Sequence, residues 1–168
     1  MGKDIAALDI FHQLCQQFQD SENEKIQETV ANSYSHIGLI HGRNKRFSES
    51  MQAYEEAIKL KSKNPTAYIN LLEMQLISLE NFEPDTVKAF LEIFKNDKQT
   101  LLKYNMLTSV HDALVQEQSE NISTLKKEFE GIEFGEWGWT ELNEWANNLE
   151  DTEAKVRVLA TIEQFKNW

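Results

Sequence analysis

Between residues 34 and 57 small and aromatic residues recur at helical spacing: Tyr34, Ile37, Gly38 and His41, then Phe47, Ser50, Tyr54 and Ala57. Residues three and four apart share one face of an α-helix, so each set forms a stripe. Gly38 on the first stripe, with Ser50 and Ala57 on the second, leaves room for two helix backbones to approach closely. Tyr34 and Tyr54 are placed to fill the wider gaps. Gly42 to Arg46 supply the turn. This stretch therefore commits the chain to a pair of helices packed at short range.

The same periodicity runs through the rest of the chain. Residues 4–18 read as a helix, with Ile5, Leu8, Phe11, Leu14 and Phe18 at three- and four-residue steps. Ser21 and Glu24 have capping-box spacing and open the long helix that carries Ile26, Val30, Tyr34, Ile37 and Ile40. Phe47 to Leu60 make the third. Asn64-Pro65 starts a fourth, because proline suits the first helical turn. Helices follow around Val87–Phe94, residues 100–116 and Ile122–Phe129. Thr140 is placed to cap a helix holding Leu142, Trp145 and Leu149, and Asp151 or Thr152 to cap the last. With two prolines, six glycines and no convincing period-two alternation, the expected fold is all-α, with eight or nine helices.

Laying residues 31–64 over 65–98 brings Tyr34 onto Tyr68, Ile37-Gly38 onto Leu71-Leu72, and His41 onto Gln75. The offset is 34 residues. On these residues the chain resembles the tetratricopeptide repeat family, with Tyr34-x-x-Ile37-Gly38 and Ser50-x-x-x-Tyr54-x-x-Ala57 as its best unit. Residues 65–98 form a degenerate copy, and Ala7-x-x-x-Phe11-x-x-Leu14 resembles the second helix of an earlier repeat. The resemblance implies an α-α superhelix of antiparallel helix pairs over residues 1–116. Residues 117–168 depart from the pattern and are expected to form a helical cap on the same domain.

Composition limits the partners. There are 28 acidic and 17 basic residues, a net charge of −11. Such a chain repels nucleic-acid phosphate and anionic lipid, so neither nucleic acid nor a membrane is an expected partner. A protein or peptide is, and self-association is open. Cys15 is the single cysteine, so no disulfide forms within the chain. The start has no signal-peptide pattern and no apolar run reaches membrane-spanning length, so a cytoplasmic location is expected.

No residue set points to catalysis. His12, His36, His41 and His111 lack zinc-ligand spacing, and neither a phosphate-binding loop nor a dinucleotide fingerprint is present. His12 lies three residues from Cys15, a spacing that permits a Cys–His pair, although a buried structural thiol is the commoner use of such a residue. The expectation is a non-enzymatic adaptor with no cofactor and no metal. By the resemblance, a peptide would lie along the concave face formed by Asn32, Ser35, His36, Leu39 and Arg43, then Thr66, Ile69, Asn70, Glu73 and Ile77. Asn70 matches an asparagine that the family uses to hold peptide backbone. Ser35 and His36 stand where a carboxylate-clamping member would carry lysine and asparagine, so a chaperone C-terminus is not the expected ligand. The alternative function lies at the other end. Residues 117–153 hold eleven acids and two lysines around Trp137, Trp139 and Trp145, a composition suited to an inhibitor or regulator that neutralises a basic partner.

Overall fold

A computed structural model describes residues 2–60, 63–115, 122–134 and 139–168. Among these the regular structure is entirely helical: α1 (Gly2–Phe18), α2 (Glu24–Arg43), α3 (Phe47–Lys59), α4 (Pro65–Ile77), α5 (Pro84–Phe94), α6 (Lys98–Val115), α7 (Ile122–Glu128), α8 (Trp139–Asn147) and α9 (Thr152–Lys166). The fold class is all-α. The chain divides into two compact units, Met1–Thr86 and Val87–Trp168. The change of composition after residue 116 therefore falls inside the second unit.

In the first unit α1 runs antiparallel to α2. Three contacts set the register: the Cys15 thiol faces the Val30 carbonyl at 3.8 Å, Phe11 stacks on His36 with ring centroids 5.1 Å apart, and the Asn44 amide reaches the Asp4 carboxylate at 3.5 Å. Cys15, Val30, Ile37 and Ala53 form the buried centre, with Leu8, Phe11, Leu14, Ile26, Tyr34 and Leu60 packed round it. Ile5 was expected on this face but is exposed. The reason is geometric. Three residues span less than a full turn, so a run of three-residue steps drifts round the helix and carries Ile5 away from Phe11. Phe18, in the last turn, is also partly exposed.

The α2–α3 pair packs as closely as its small residues allow. A Cβ added to Gly38 would stand 2.7 Å from Cε1 of Tyr54, well inside contact distance. The tyrosine ring thus covers Gly38 itself instead of filling a gap elsewhere. Ser50, fully buried, donates its hydroxyl to the Gly38 carbonyl at 2.8 Å. Ala53 and Ala57 are buried beside it. Gly42 marks the place where α2, α3 and α4 meet, since a Cβ there would lie 3.3 Å from Ser50 Oγ and 3.4 Å from Met74 Sδ.

Helix ends follow local chemistry. Asn23, not Ser21, caps α2, because its side chain accepts from the amides of both Lys25 and Ile26. The Ser21 hydroxyl accepts instead from the Asn23 amide. Asn64 caps α4 ahead of Pro65, accepting from Thr66 N at 3.0 Å. The C-termini of α2 and α4 close by the same motif. Arg46 N donates to His41 O and Lys45 N to Gly42 O; Glu80 N donates to Gln75 O and Leu79 N to Leu76 O. Lys45 (φ 58°) and Leu79 (φ 59°) both adopt the left-handed conformation this motif requires. Each partner in one motif lies 34 residues from its counterpart in the other.

In the second unit, Phe90 of α5 and Tyr104 of α6 meet with ring centroids 5.2 Å apart. Leu102, Met106, Leu107 and Val110 of α6 are buried, as are Val158, Ile162 and Phe165 of α9, the helix packed against it. Arg157 of α9 donates to the Ala113 carbonyl at 2.9 Å, in the last turn of α6. Asp151 caps α9, accepting from the amides of Glu153 and Ala154. Thr140 is not a cap: α8 already begins at Trp139, so Thr140 lies within its first turn. Phe165 stacks on Trp168, whose indole donates to the Ile132 carbonyl at 3.2 Å.

Candidate functional site

The ten residues singled out for a peptide groove all lie on α2 and α4 in the first unit, and the fold sorts them; Ile77, at the end of α4, is buried. Asn32 is half-buried, and its Oδ1 accepts from the Asn64 side chain at 3.1 Å, joining the middle of α2 to the start of α4. Ser35 is buried and donates its hydroxyl to the Ala31 carbonyl of its own helix. Ile69 is buried as well. Both belong to the packing between elements, as small and apolar side chains beside a helix contact normally do. Leu39, Arg43 and Thr66 are exposed. His36 is exposed too, but its ring lies on Phe11, so one edge of the site borders α1.

Asn70 occupies the most defined position. Its Nδ2 donates to the Tyr54 hydroxyl at 3.1 Å. Tyr54 is in turn buried against Gly38, so a residue of α3 fixes the orientation of an amide on α4. Burial pushes the Tyr54 phenol up to about 12, the Asn70 bond acts the other way, and the hydroxyl also feels the opposing charges of Glu73 and Arg43. Arg43 on α2, Tyr54 on α3, and Asn70 and Glu73 on α4 therefore form one polar cluster. Its phenol stays protonated throughout the physiological range.

Sequence reasoning reached Asn70, Glu73 and Arg43 but missed the two residues that position the set. Tyr54 read as a packing aromatic and Asn64, with Pro65, as the start of α4; their second roles need the register between helices. The 34-residue offset carried a usable signal, because it sets Asn64 and Asn70 beside known positions of α2.

Other candidates are placed apart. The Cys15 thiol is buried and pushed up to about 11 by its apolar surroundings, which leaves almost no thiolate at neutral pH. Among the described residues, no three His, Cys, Asp or Glu side chains come together in a metal-binding group, and no helix is long and apolar enough to cross a membrane. At the acidic end, Glu128, Glu130, Glu133, Glu141, Glu144, Glu150, Asp151 and Glu153 are all exposed. Trp139 lies against Phe134, and Trp145 is half-buried. Trp137, Glu117, Glu120 and Glu136 lie outside the described residues.

Comparison with family models, with curated proteins and with solved structures gave no match. The functional reading rests on the molecule's own geometry.

Proposed function

We propose that this chain is a non-catalytic, tetratricopeptide-like interaction module that binds a peptide or protein segment along the surface shared by α2 and α4. The recurrence of one helix-ending motif at a 34-residue interval supports the repeat reading, with α1 as the second helix of an incomplete preceding repeat. The observation that carries the binding reading is the Asn70 side chain, held by the buried Tyr54 hydroxyl, which also feels the charges of Glu73 and Arg43. Among the described residues none donates to its Oδ1, which is left to accept from a ligand backbone. A preorganised amide costs little to order on binding, so its hydrogen bonds add more fully to affinity. Asn32, His36, Leu39 and Arg43 on α2, with Thr66, Asn70 and Glu73 on α4, make up the proposed surface. Ser35 and Ile69 support it from beneath. In this reading the protein works in the cytoplasm, as an adaptor or as a subunit of a larger assembly.

The test is affinity capture with the purified chain and an Asn70→Ala/Arg43→Glu variant, each checked for helicity by circular dichroism. Partners retained by the parent and absent from an equally helical variant support the surface. Equal retention by both removes it.

A second reading draws on the eight acids exposed between Glu128 and Glu153. In it, the second unit binds a basic protein, as an inhibitor or regulator would. Capture that collapses as salt rises, and that survives the double variant of the first unit, identifies this mode.

A further inference from the structure

We infer that His41 is a pH sensor built into the junction of α1, α2 and α3, and that mild acidification loosens the first unit through it. The residue is 8% exposed, and its Nδ1 is buried with no hydrogen-bond partner. A neutral imidazole tolerates this, because Nδ1 then carries no proton. The imidazolium does not, since both ring nitrogens become donors and one of them points into packed protein.

The end of a helix normally welcomes a cation, and His41 sits in the last turn of α2. Here the carbonyls that would receive it are occupied. Ile40 O accepts from the amide and side chain of Asn44, His41 O from Arg46 N and Asn44 N, and Gly42 O from Lys45 N. The motif that closes the helix thereby already engages the acceptors an imidazolium would use.

The charges around it lean the same way. Burial is the main influence lowering the affinity of His41 for a proton. Arg46 in the α2–α3 turn and His12 on α1 add to it, while Glu49 on α3 opposes. The register of α1 brackets the site, with Phe11 on His36 one turn earlier and Asp4 at Asn44 just beyond the helix end. Asp4 bonds Asn44 and His36 lies on Phe11, so each already has a partner of its own.

An internal control exists. Gln75 occupies the corresponding place in α4, 34 residues on, where it is 6% exposed and its carbonyl closes the same motif. Glutamine fills a similar volume and cannot titrate, so α4 has this architecture without the sensor.

The sign follows from linkage. An unfolded histidine takes up its proton near pH 6.5, and the folded state resists, so stability falls as pH drops through that value. The experiment is denaturant unfolding of the full chain at pH 7.5 and 5.5, for the parent and for His41→Gln. The parent's folding constant should fall several-fold relative to the variant, and at most about tenfold, by pH 5.5. His36 and His111 are present in both proteins, so the ratio isolates His41 and its coupling to His12. Independently of how the variant folds, NMR of histidine-labelled parent should show the His41 ring titrating below the ordinary histidine value of 6.5. Hydrogen-exchange protection factors, which correct for the slower intrinsic exchange in acid, should fall at pH 5.5 in α1–α3 and not in α6–α9. A pH-independent ratio, or a His41 ring that titrates at or above pH 6.5, overturns the inference.

Discussion

At Gly38 one methyl group separates a close helix pair from a strained one. The atoms a Cβ would meet belong to the Tyr54 ring, which is buried and tied to Asn70, so it has little room to retreat. Gly38→Ala is expected to destabilise the fold by about 1–3 kcal/mol despite alanine's better helix propensity, as measured by urea unfolding. Leu79 presents the opposite case. It holds a left-handed backbone with its side chain 65% exposed, so little packing compensates the strain. A left-handed conformation costs an ordinary residue about 1–2 kcal/mol, part of which glycine loses again to chain entropy. Leu79→Gly should therefore raise stability by roughly 0.5–1 kcal/mol, and an unchanged or lower denaturation midpoint would contradict that account. Gly38 could be read in the sequence because only a small residue serves a tight crossing. Leu79 could not, because neither glycine nor asparagine stands at the left-handed position, Asn81 lying two residues on, and its conformation follows from the hydrogen bonds that close α4.

Helices α2, α4, α6 and α9 begin where a short polar side chain reaches free amides, whereas α3 has no side-chain cap, and the choice among neighbours turns on reach. Asn64 shows what such a residue does for an element. It holds Thr66 N with its oxygen and Asn32 with its nitrogen, so it both starts α4 and ties it to α2. Asn64→Ala should cost about 1–2 kcal/mol in chemical denaturation, while Asn64→Asp, which keeps the cap and loses the donor, should cost less. Asn64-Pro65 was legible because two independent signals coincide there. Asn23 was not, since Ser21 and Glu24 offered an equally good pattern and only the backbone path decides between them. Thr140 failed for a related reason: α8 begins one residue earlier, and no cap can sit inside its own first turn. The contact between His36 and Phe11 was hidden for a third reason. Phe11 lies on another helix, and no spacing within α2 reveals an antiparallel register.

Over the whole molecule, acid should act in two separate windows. The first belongs to His41, near and just below neutral pH. The second belongs to cap carboxylates. The Thr86 hydroxyl and amide, with the Asp85 amide, hold Glu83 below the usual carboxylate range, and the amides of Ala154 and Glu153 do the same for Asp151. A group whose affinity for protons is lowered by folding stabilises the fold above its unfolded value and ceases to do so as pH falls through the folded one. Stability from these caps should thus hold down to the ordinary carboxylate range and decline below it. Asp151→Asn, which can still accept at the cap, should flatten that decline; an identical acid profile would assign the loss elsewhere. The division of the chain makes the loss of the Asp151 cap, in the second unit, separable by optics from events at His41 and Glu83 in the first. All four tryptophans, at 137, 139, 145 and 168, lie beyond residue 86, while Tyr34, Tyr54 and Tyr68 lie before it. Excitation at the red edge of the absorption band thus gives indole emission from one half of the chain alone. A titration followed simultaneously by indole emission and by far-ultraviolet dichroism will report which half yields first, with no label attached.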